Sequence, residues 1–419
     1  MPSISVRLWT TSSPATPAPR ALSLPRMDSM SRRIIHSATL VSDGVQSENA
    51  WVEFSGESVA STGSGDSWRE HADAATIVTD AEGDFLTPGF IDIHSHGANG
   101  VSFDDGPEAI ATALAAHRSH GTTRSVLSLI SDCHEYLVER LAEVADLTRR
   151  DPLVLGSHLE GPFIDQGFRG AHNPAALRSP TATEIEQLLA AADGTLRQIT
   201  LAPELPGGAE AVAQFVAADV RVAVGHTAAT YAETRAAFDA GASILTHAFN
   251  AMREIHHRAP GPVAAAFHSP GVTLEVINDG VHVHPDVVKM LFASAPGRIA
   301  LVTDAMAATC AGDGHYLLGS LDVTVTDGVA RLSDSDAIAG STLTMDAAVR
   351  RAVTEVGLSV PQAVAAATAV PARAIGRSGD LGSLAPGFAA DAVLLDADFK
   401  VRAVWAAGRE LPRPEHPDA

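Results

Sequence analysis

The residues best suited to chemistry are histidines and carboxylates spaced along the middle of the chain. They occur in Asp92-Ile-His94-Ser-His96, His158-Leu-Glu160-Gly-Pro162, Gly225-His226-Thr227, Thr246-His247 and Thr303-Asp304-Ala305. Each group closes a short apolar run. Residues two apart on a strand point to the same side, so His94 and His96 can both reach one cation. A lone histidine at a strand end is more often a hydrogen-bonded structural residue than a ligand. Hydrophobic packing, however, has no reason to deliver four histidines, a glutamate and an aspartate to matching ends in chain order. The set points to a metal centre. His94 and His96 would hold one ion and His226 and His247 a second, with Glu160 binding one or bridging both. A single-ion site of Glu160, His226 and His247 is the smaller alternative. A divalent ion lowers the pKa of bound water and polarises a carbonyl oxygen, which is the chemistry of metal-assisted hydrolysis. Asp304 could then take a proton from the attacking water and pass it to a departing nitrogen. It could equally be a plain ligand or a helix N-cap.

The elements that must position these groups are apolar runs of strand length. They are Phe90 to His94, Thr123 to Leu129, Leu153 to His158, Gln198 to Leu201, Val222 to Gly225, Ser243 to His247, Thr273 to Ile277 and Ile299 to Thr303. Amphipathic stretches separate most of them: Pro107 to Arg118, Tyr136 to Leu147, Ala182 to Ala191, Glu210 to Ala217, Ala232 to Phe238 and Pro285 to Ala293. Strands buried on both faces and alternating with helices imply a parallel sheet, and eight repeats predict an α/β fold, a TIM-like (β/α)₈ barrel. Such barrels carry catalytic groups at the C-terminal ends of their strands, where the histidines and carboxylates stand. The same pattern could also form an open doubly wound sheet. Helices after Thr344 and Pro361 would cover the sheet.

Outside this region the texture changes. From Arg33 to Thr87 short strands alternate with turns and no helical period of comparable length appears. Two more apolar runs, Ala392 to Leu395 and Val401 to Ala406, follow Gly382-Ser-Leu-Ala-Pro-Gly387. The expected organisation is a small β-sandwich domain formed by both chain ends, residues 32–87 and 379–413, around a catalytic barrel at 88–378. Residues 1–31 carry Pro14, Pro17, Pro19 and Pro25 and no apolar secretion core, and are expected to be a disordered extension.

Composition narrows the function classes. The 419 residues carry 50 acidic and 29 basic side chains, a formal charge of −21. That balance argues against nucleic acid or an anionic membrane as the main partner. No apolar run approaches the length of a membrane span. Cys133 and Cys310 are too few for a disulfide framework and fit a reducing, cytoplasmic location. Only Lys289 and Lys400 are lysine.

At Pro88-Gly-Phe-Ile-Asp-Ile-His-Ser-His96 the chain resembles the amidohydrolase superfamily, whose members join a metal-bearing barrel to a small β domain. Many of its hydrolases bridge two metals with a carboxylated lysine from a barrel strand. Neither Lys289 nor Lys400 stands where that lysine is expected, so Glu160 is the better candidate. This departure points to a subgroup. His158-Leu-Glu-Gly-Pro-Phe163, Gly170-Ala-His172-Asn-Pro174, Thr246-His-Ala-Phe-Asn-Ala-Met252, Asp279-Gly-Val-His282, Leu301-Val-Thr-Asp304 and Ala339-Gly-Ser-Thr-Leu-Thr-Met345 resemble the N-acetylglucosamine-6-phosphate deacetylases.

The resemblance implies a phosphorylated amino sugar as substrate and one or two divalent ions per subunit, Zn, Fe, Mn or Co. It also implies a homodimer in which phosphate contacts cross the interface. It assigns His172 to the acetamide carbonyl or the transition-state oxyanion, Asn250 and Ala251 to amide contacts near the phosphate, and Arg258 and His282 to phosphate or sugar hydroxyls. Ala248, Met306 and Arg253-Glu-Ile-His-His257 depart from the subgroup's usual residues near the expected pocket. An amidohydrolase acting on another N-acetyl amine or amino acid is the alternative enzyme. A noncatalytic scaffold on the same barrel would be expected to have lost ligands, and here every ligand position is filled.

Overall fold

The computed structural model describes residues 32–412. The expected extension at 1–31 and the end of the 379–413 segment lie outside the described residues. Eight strands form one parallel sheet in sequential order: β1 (Phe90–Ser95), β2 (Thr122–Ile130), β3 (Val154–Glu160), β4 (Leu196–Leu201), β5 (Arg221–Val224), β6 (Ile244–Leu245), β7 (Thr273–Ile277) and β8 (Ile299–Val302). Between β8 and β1 the contact is local rather than a ladder. The Asp304 amide donates to the His94 carbonyl at 2.8 Å, and the Thr303 hydroxyl donates to Asp92 at 2.5 Å. The sheet is therefore a nearly closed barrel and not the open doubly wound alternative. Every residue of β2, β3 and β7 is buried, as expected of strands covered on both faces.

The covering helices are α1 (Pro107–Ser119), α2 (His134–Arg150), α3 (Ala182–Ala192), α4 (Gly208–Ala217), α5 (Tyr231–Asp239), α6 (Gly261–Phe267), α7 (Pro285–Ser294), α8 (Met345–Thr354), α9 (Val360–Ala367) and α10 (Ala369–Ala374). Their sequences explain them. In α2, Leu137, Leu141, Val144 and Ala145 are buried on one stripe. Pro107 and Pro285 occupy the first turns of α1 and α7, where a missing N–H costs nothing. Thr230 and Glu233 form a reciprocal cap on α5. Helix α6 was not anticipated, because its apolar run from Pro262 to Ala266 is too short to show a period.

Both chain ends contribute to a second, eight-stranded sheet. Ala392–Leu395 pairs antiparallel with Phe85–Pro88, and the first strand, Arg32–Ser42, pairs with three others. Its core gathers Ile35, Val52, Phe54, Leu86, Leu394 and Trp405. An unanticipated three-stranded antiparallel sheet, Gly314–Leu318, Leu321–Thr326 and Val329–Leu332, follows β8. Leu318, Val323 and Val325 pack with Ile130, Ala171 and Met306, which fixes this sheet over the C-terminal end of the barrel. No helix among the described residues is long and apolar enough to cross a membrane. Cys133 and Cys310 are free and exposed.

Candidate metal centre and substrate cleft

The strand ends bring the anticipated ligands together at one point. His94 and His96 come from β1, Glu160 ends β3, and His226, His247 and Asp304 follow β5, β6 and β8 directly. The donors form two clusters, His94 with His96 and Asp304, and Glu160 with His226 and His247. Glu160 joins them. Its Oε1 lies 3.2 Å from Nε2 of His94, His226 and His247, and its Oε2 lies 3.2 Å from Nε2 of His96. Asp304 Oδ1 stands 3.3 Å from His96 Nε2 and 3.7 Å from His94 Nε2.

The donor set fits a divalent cation. His226 Nε2 and His247 Nε2 are 3.0 Å apart, and each is 3.2 Å from the same Glu160 oxygen. Hydrogen bonds prefer to be linear, and no placement of protons makes all three edges of such a triangle linear. A central cation satisfies all three at once. Ligands roughly 2.0–2.1 Å from a tetrahedral zinc stand about 3.3 Å from one another, close to the separations found.

The electrostatics agree. Burial opposes charge on His94, but Glu160 and Asp304 outweigh it and hold its pKa well above the usual imidazole range. Burial likewise opposes charge on His96, yet hydrogen bonds to Asp304 and Glu160 raise it to about 9. Glu160 is buried too, which alone would raise its pKa; His94 and the hydrogen-bonding histidines pull it well below the carboxylate range instead. Asp304 is also depressed, because His94 and His96 overcome its burial. Both carboxylates are thus ionised, and the nitrogens facing them are cation-seeking. Backbone strain marks the same residues: His226, His247 and Asp304 have φ of 47°, 24° and 49°. Left-handed backbone at non-glycine residues is costly and persists where the surroundings enforce it.

The cleft in front of the cluster has a volume of about 320 Å³, ample for a small polar ligand. It is lined by His96, Glu160, His172, His226, His247, Asn250, Ala251, His282 and Asp304, with Ile130, Leu318 and Ile338 as its apolar wall. His172 Nε2 stands 3.4 Å from Glu160 Oε2, and its Nδ1 lies 2.9 Å from the Ser131 hydroxyl. Burial pushes the His172 pKa down to about 4, so the ring is neutral. His282 Nδ1 lies 2.6 Å from Asp279, whose carboxylate overcomes burial and raises the imidazole pKa. Around Asn250 and Ala251 the backbone is left-handed at every second residue, with φ of 24° at His247, 78° at Phe249 and 50° at Ala251. Alternating backbone of this kind is a recurrent way to aim N–H groups at an anion.

Arg258 is not brought into this cleft. It is exposed, and its guanidinium lies 2.7 Å from the His257 ring. The contribution of Leu318 and Ile338 was missed from the sequence. Its signal was available, since Asp327-Gly328 between two β-rich runs is a strong hairpin marker. Ser131, Gln198 and Glu275 were missed as well. Glu275 sits inside a run that otherwise looks purely apolar, and it is fully buried.

The chain matches the amidohydrolase family model over residues 85–411. The N-acetylgalactosamine-6-phosphate deacetylase of Escherichia coli O157:H7 is 40% identical over 338 residues, covering 79% of this chain and 89% of that protein. The N-acetylglucosamine-6-phosphate deacetylase of Vibrio furnissii is 34% identical, covering 77% and 82%. Among solved structures, a mutant N-acetyl-D-glucosamine-6-phosphate deacetylase from Mycobacterium smegmatis in complex with N-acetyl-D-glucosamine-6-phosphate superposes with a TM-score of 0.86. That chain is 41% identical, and the match covers 91% of this chain and 99% of that one.

Proposed function

The chain belongs to the amidohydrolase family, and from that premise we propose that it hydrolyses the acetamide of N-acetylglucosamine 6-phosphate to glucosamine 6-phosphate and acetate. One observation carries the reading. A complete donor set of His94, His96, Glu160, His226 and His247 faces a polar cleft, with the ionised Asp304 beside it.

A divalent ion bound there, Zn, Fe, Mn or Co, would supply an acidified water and polarise the acetamide carbonyl. Asp304 accepts the proton of the attacking water and returns it to the sugar nitrogen as the C–N bond breaks. His172 donates from Nε2 to the oxyanion. The Ser131 hydroxyl lies 2.9 Å from His172 Nδ1 and 3.1 Å from the Glu160 carbonyl. When its one proton is directed at Nδ1, it selects the ring tautomer protonated at Nε2, the one that can donate to the oxyanion. Asn250, the Ala251 region and His282, whose protonated form the Asp279 carboxylate favours, receive the phosphate and hydroxyls. The overall charge of −21 makes such local donors necessary.

Arg258 is assigned to the phosphate within a homodimer, where it reaches the cleft of a second copy. Sparse, free cysteines support a cytoplasmic setting. Residues 88–378 form the catalytic unit in this reading, with 32–87 and 379–413 as its β domain.

A second reading is the epimeric substrate, N-acetylgalactosamine 6-phosphate, favoured by the name of the 40% identical relative. Substrate profiling with metal content measured on the same sample tests both. Acetate release should be fastest from one of the two 6-phosphates and far slower from the unphosphorylated sugars. Equal rates with and without phosphate would overturn the assignment.

A further inference from the structure

A fully buried carboxylate beside the metal ligands is not itself one of them. Glu275 lies on β7 with no exposure. Its Oε2 is 3.0 Å from His94 Nδ1 and also accepts from the backbone N–H of His247 at 3.3 Å, while Gln198 donates to its Oε1 at 2.7 Å. One carboxylate oxygen therefore contacts a residue of each donor cluster, the side chain of His94 and the main chain of His247.

The other ligand histidines lack such a partner. Nδ1 of His96 and of His247 is buried with no hydrogen-bond partner, and Nδ1 of His226 meets only the Phe168 carbonyl at 2.9 Å. A buried carboxylate is costly without partners, and the basic side chain beside Glu275 is the His94 imidazole, so that contact is what its position serves. Accepting the Nδ1 proton of His94 fixes the tautomer that leaves the Nε2 lone pair facing Glu160 and Asp304. It also strengthens that nitrogen as a donor.

We infer that Glu275 is a positioning residue that sets the affinity of the His94–His96–Asp304 cluster for its ion through the side chain of His94, and touches the Glu160–His226–His247 cluster only through the main chain of His247. The inference rests on the metal-centre reading above. Gln198 holds the carboxylate from the far side, so the relay runs from Gln198 through Glu275 and His94 to the cluster.

The test is metal content per chain and chelator release half-life in wild type, Glu275→Gln and Glu275→Asp, measured on purified protein with no substrate present. Glutamine keeps the shape and removes the charge; aspartate keeps the charge and withdraws it from His94. Both should retain the ion at the Glu160 cluster and hold the other about 10- to 100-fold more weakly, the range for lost outer partners. Thermal unfolding of the metal-free variants controls for folding, and the aspartate variant serves if the glutamine variant does not fold. Wild-type ion content and release kinetics in both variants would overturn the inference while leaving the functional reading intact. A wild-type protein that binds no divalent ion would instead overturn the functional reading.

Discussion

Arg124 on β2 grips Asp391, 267 residues further along the chain, with both arms of its guanidinium. Nε donates to Oδ2 at 2.6 Å and Nη2 to Oδ1 at 3.1 Å. Asp391 stands directly before the strand Ala392–Leu395, so the pair ties the catalytic barrel to the sheet built from the chain ends. The Ala407 amide adds a third bond to Oδ1 at 2.7 Å, and Arg124 Nη1 donates to the Pro152 carbonyl at 2.6 Å. Both side chains are nearly buried, 8% and 7% exposed.

Removing one partner of such a pair strands the other charge in a dry site. Arg124→Met should therefore cost about 3–5 kcal/mol of stability. Urea unfolding checks this, and a midpoint shift worth less than about 1 kcal/mol would show that the carboxylate finds solvent in the variant. The double variant with Asp391→Leu should recover much of the loss.

His117 on α1 predicts an acid-sensitive contribution to stability. Its Nε2 donates to the Gly97 carbonyl at 3.0 Å, and its Nδ1 is buried with no partner. Burial pushes its pKa down to about 4 from the ordinary 6.5. The unfolded chain takes up a proton below pH 6.5 and the folded one only near pH 4. The contribution is thus fully present above pH 6.5 and falls between the two values, by about 1.4 kcal/mol per pH unit. In denaturant titrations from pH 7 to 4.5, His117→Gln should show a shallower slope than wild type. Parallel slopes would assign the acid sensitivity elsewhere.

The barrel, its strand order and the histidines and carboxylates gathered at its strand ends were legible because each rests on a local signal. Strands such as Ile299–Val302 are continuous apolar runs, and His94-Ser-His96 carries its own spacing. What was not legible depends on contacts between distant segments. Glu275 meets His94 across 181 residues, and Gln198 meets Glu275 across 77. No local pattern distinguishes a glutamate that orients a ligand from one on a solvated face. Arg258 shows the converse limit. Its residue type suits phosphate, but its exposed position on the loop after Met252 keeps it out of the cleft among the described residues.

Ser131 should matter for turnover rather than for binding. Among the described residues its hydroxyl is the only side-chain partner of His172 Nδ1, at 2.9 Å, and it lies 3.1 Å from the Glu160 carbonyl. Ser131→Ala leaves the ring's tautomer unset, so kcat should fall about 10- to 100-fold with KM nearly unchanged. A variant that raises KM alone would place His172 in ground-state binding.

The proposed role of Arg258 in phosphate recognition requires assembly. Arg258→Ala should raise KM for the 6-phosphate by about tenfold or more and leave slow turnover of the unphosphorylated sugar unchanged. Light scattering should show a dimer. A monomer whose KM does not respond to Arg258→Ala would remove the residue from the site.

Asp304 offers the sharpest separation of chemistry from metal binding. Its Oδ1 faces His96 Nε2 at 3.3 Å, and the neighbouring imidazoles hold its carboxyl below the ordinary range despite burial. The depressed pKa keeps the group ionised at neutral pH, as a general base requires. Asp304→Asn preserves shape but removes the proton-accepting oxygen. The variant should keep the ion held by Glu160, His226 and His247 while kcat falls at least 10²- to 10⁴-fold, roughly the contribution of positioned acid–base catalysis. Metal analysis and acetate release on one preparation decide between two roles. Loss of activity with the metal retained supports the proton shuttle, whereas loss of both in proportion makes Asp304 a ligand first.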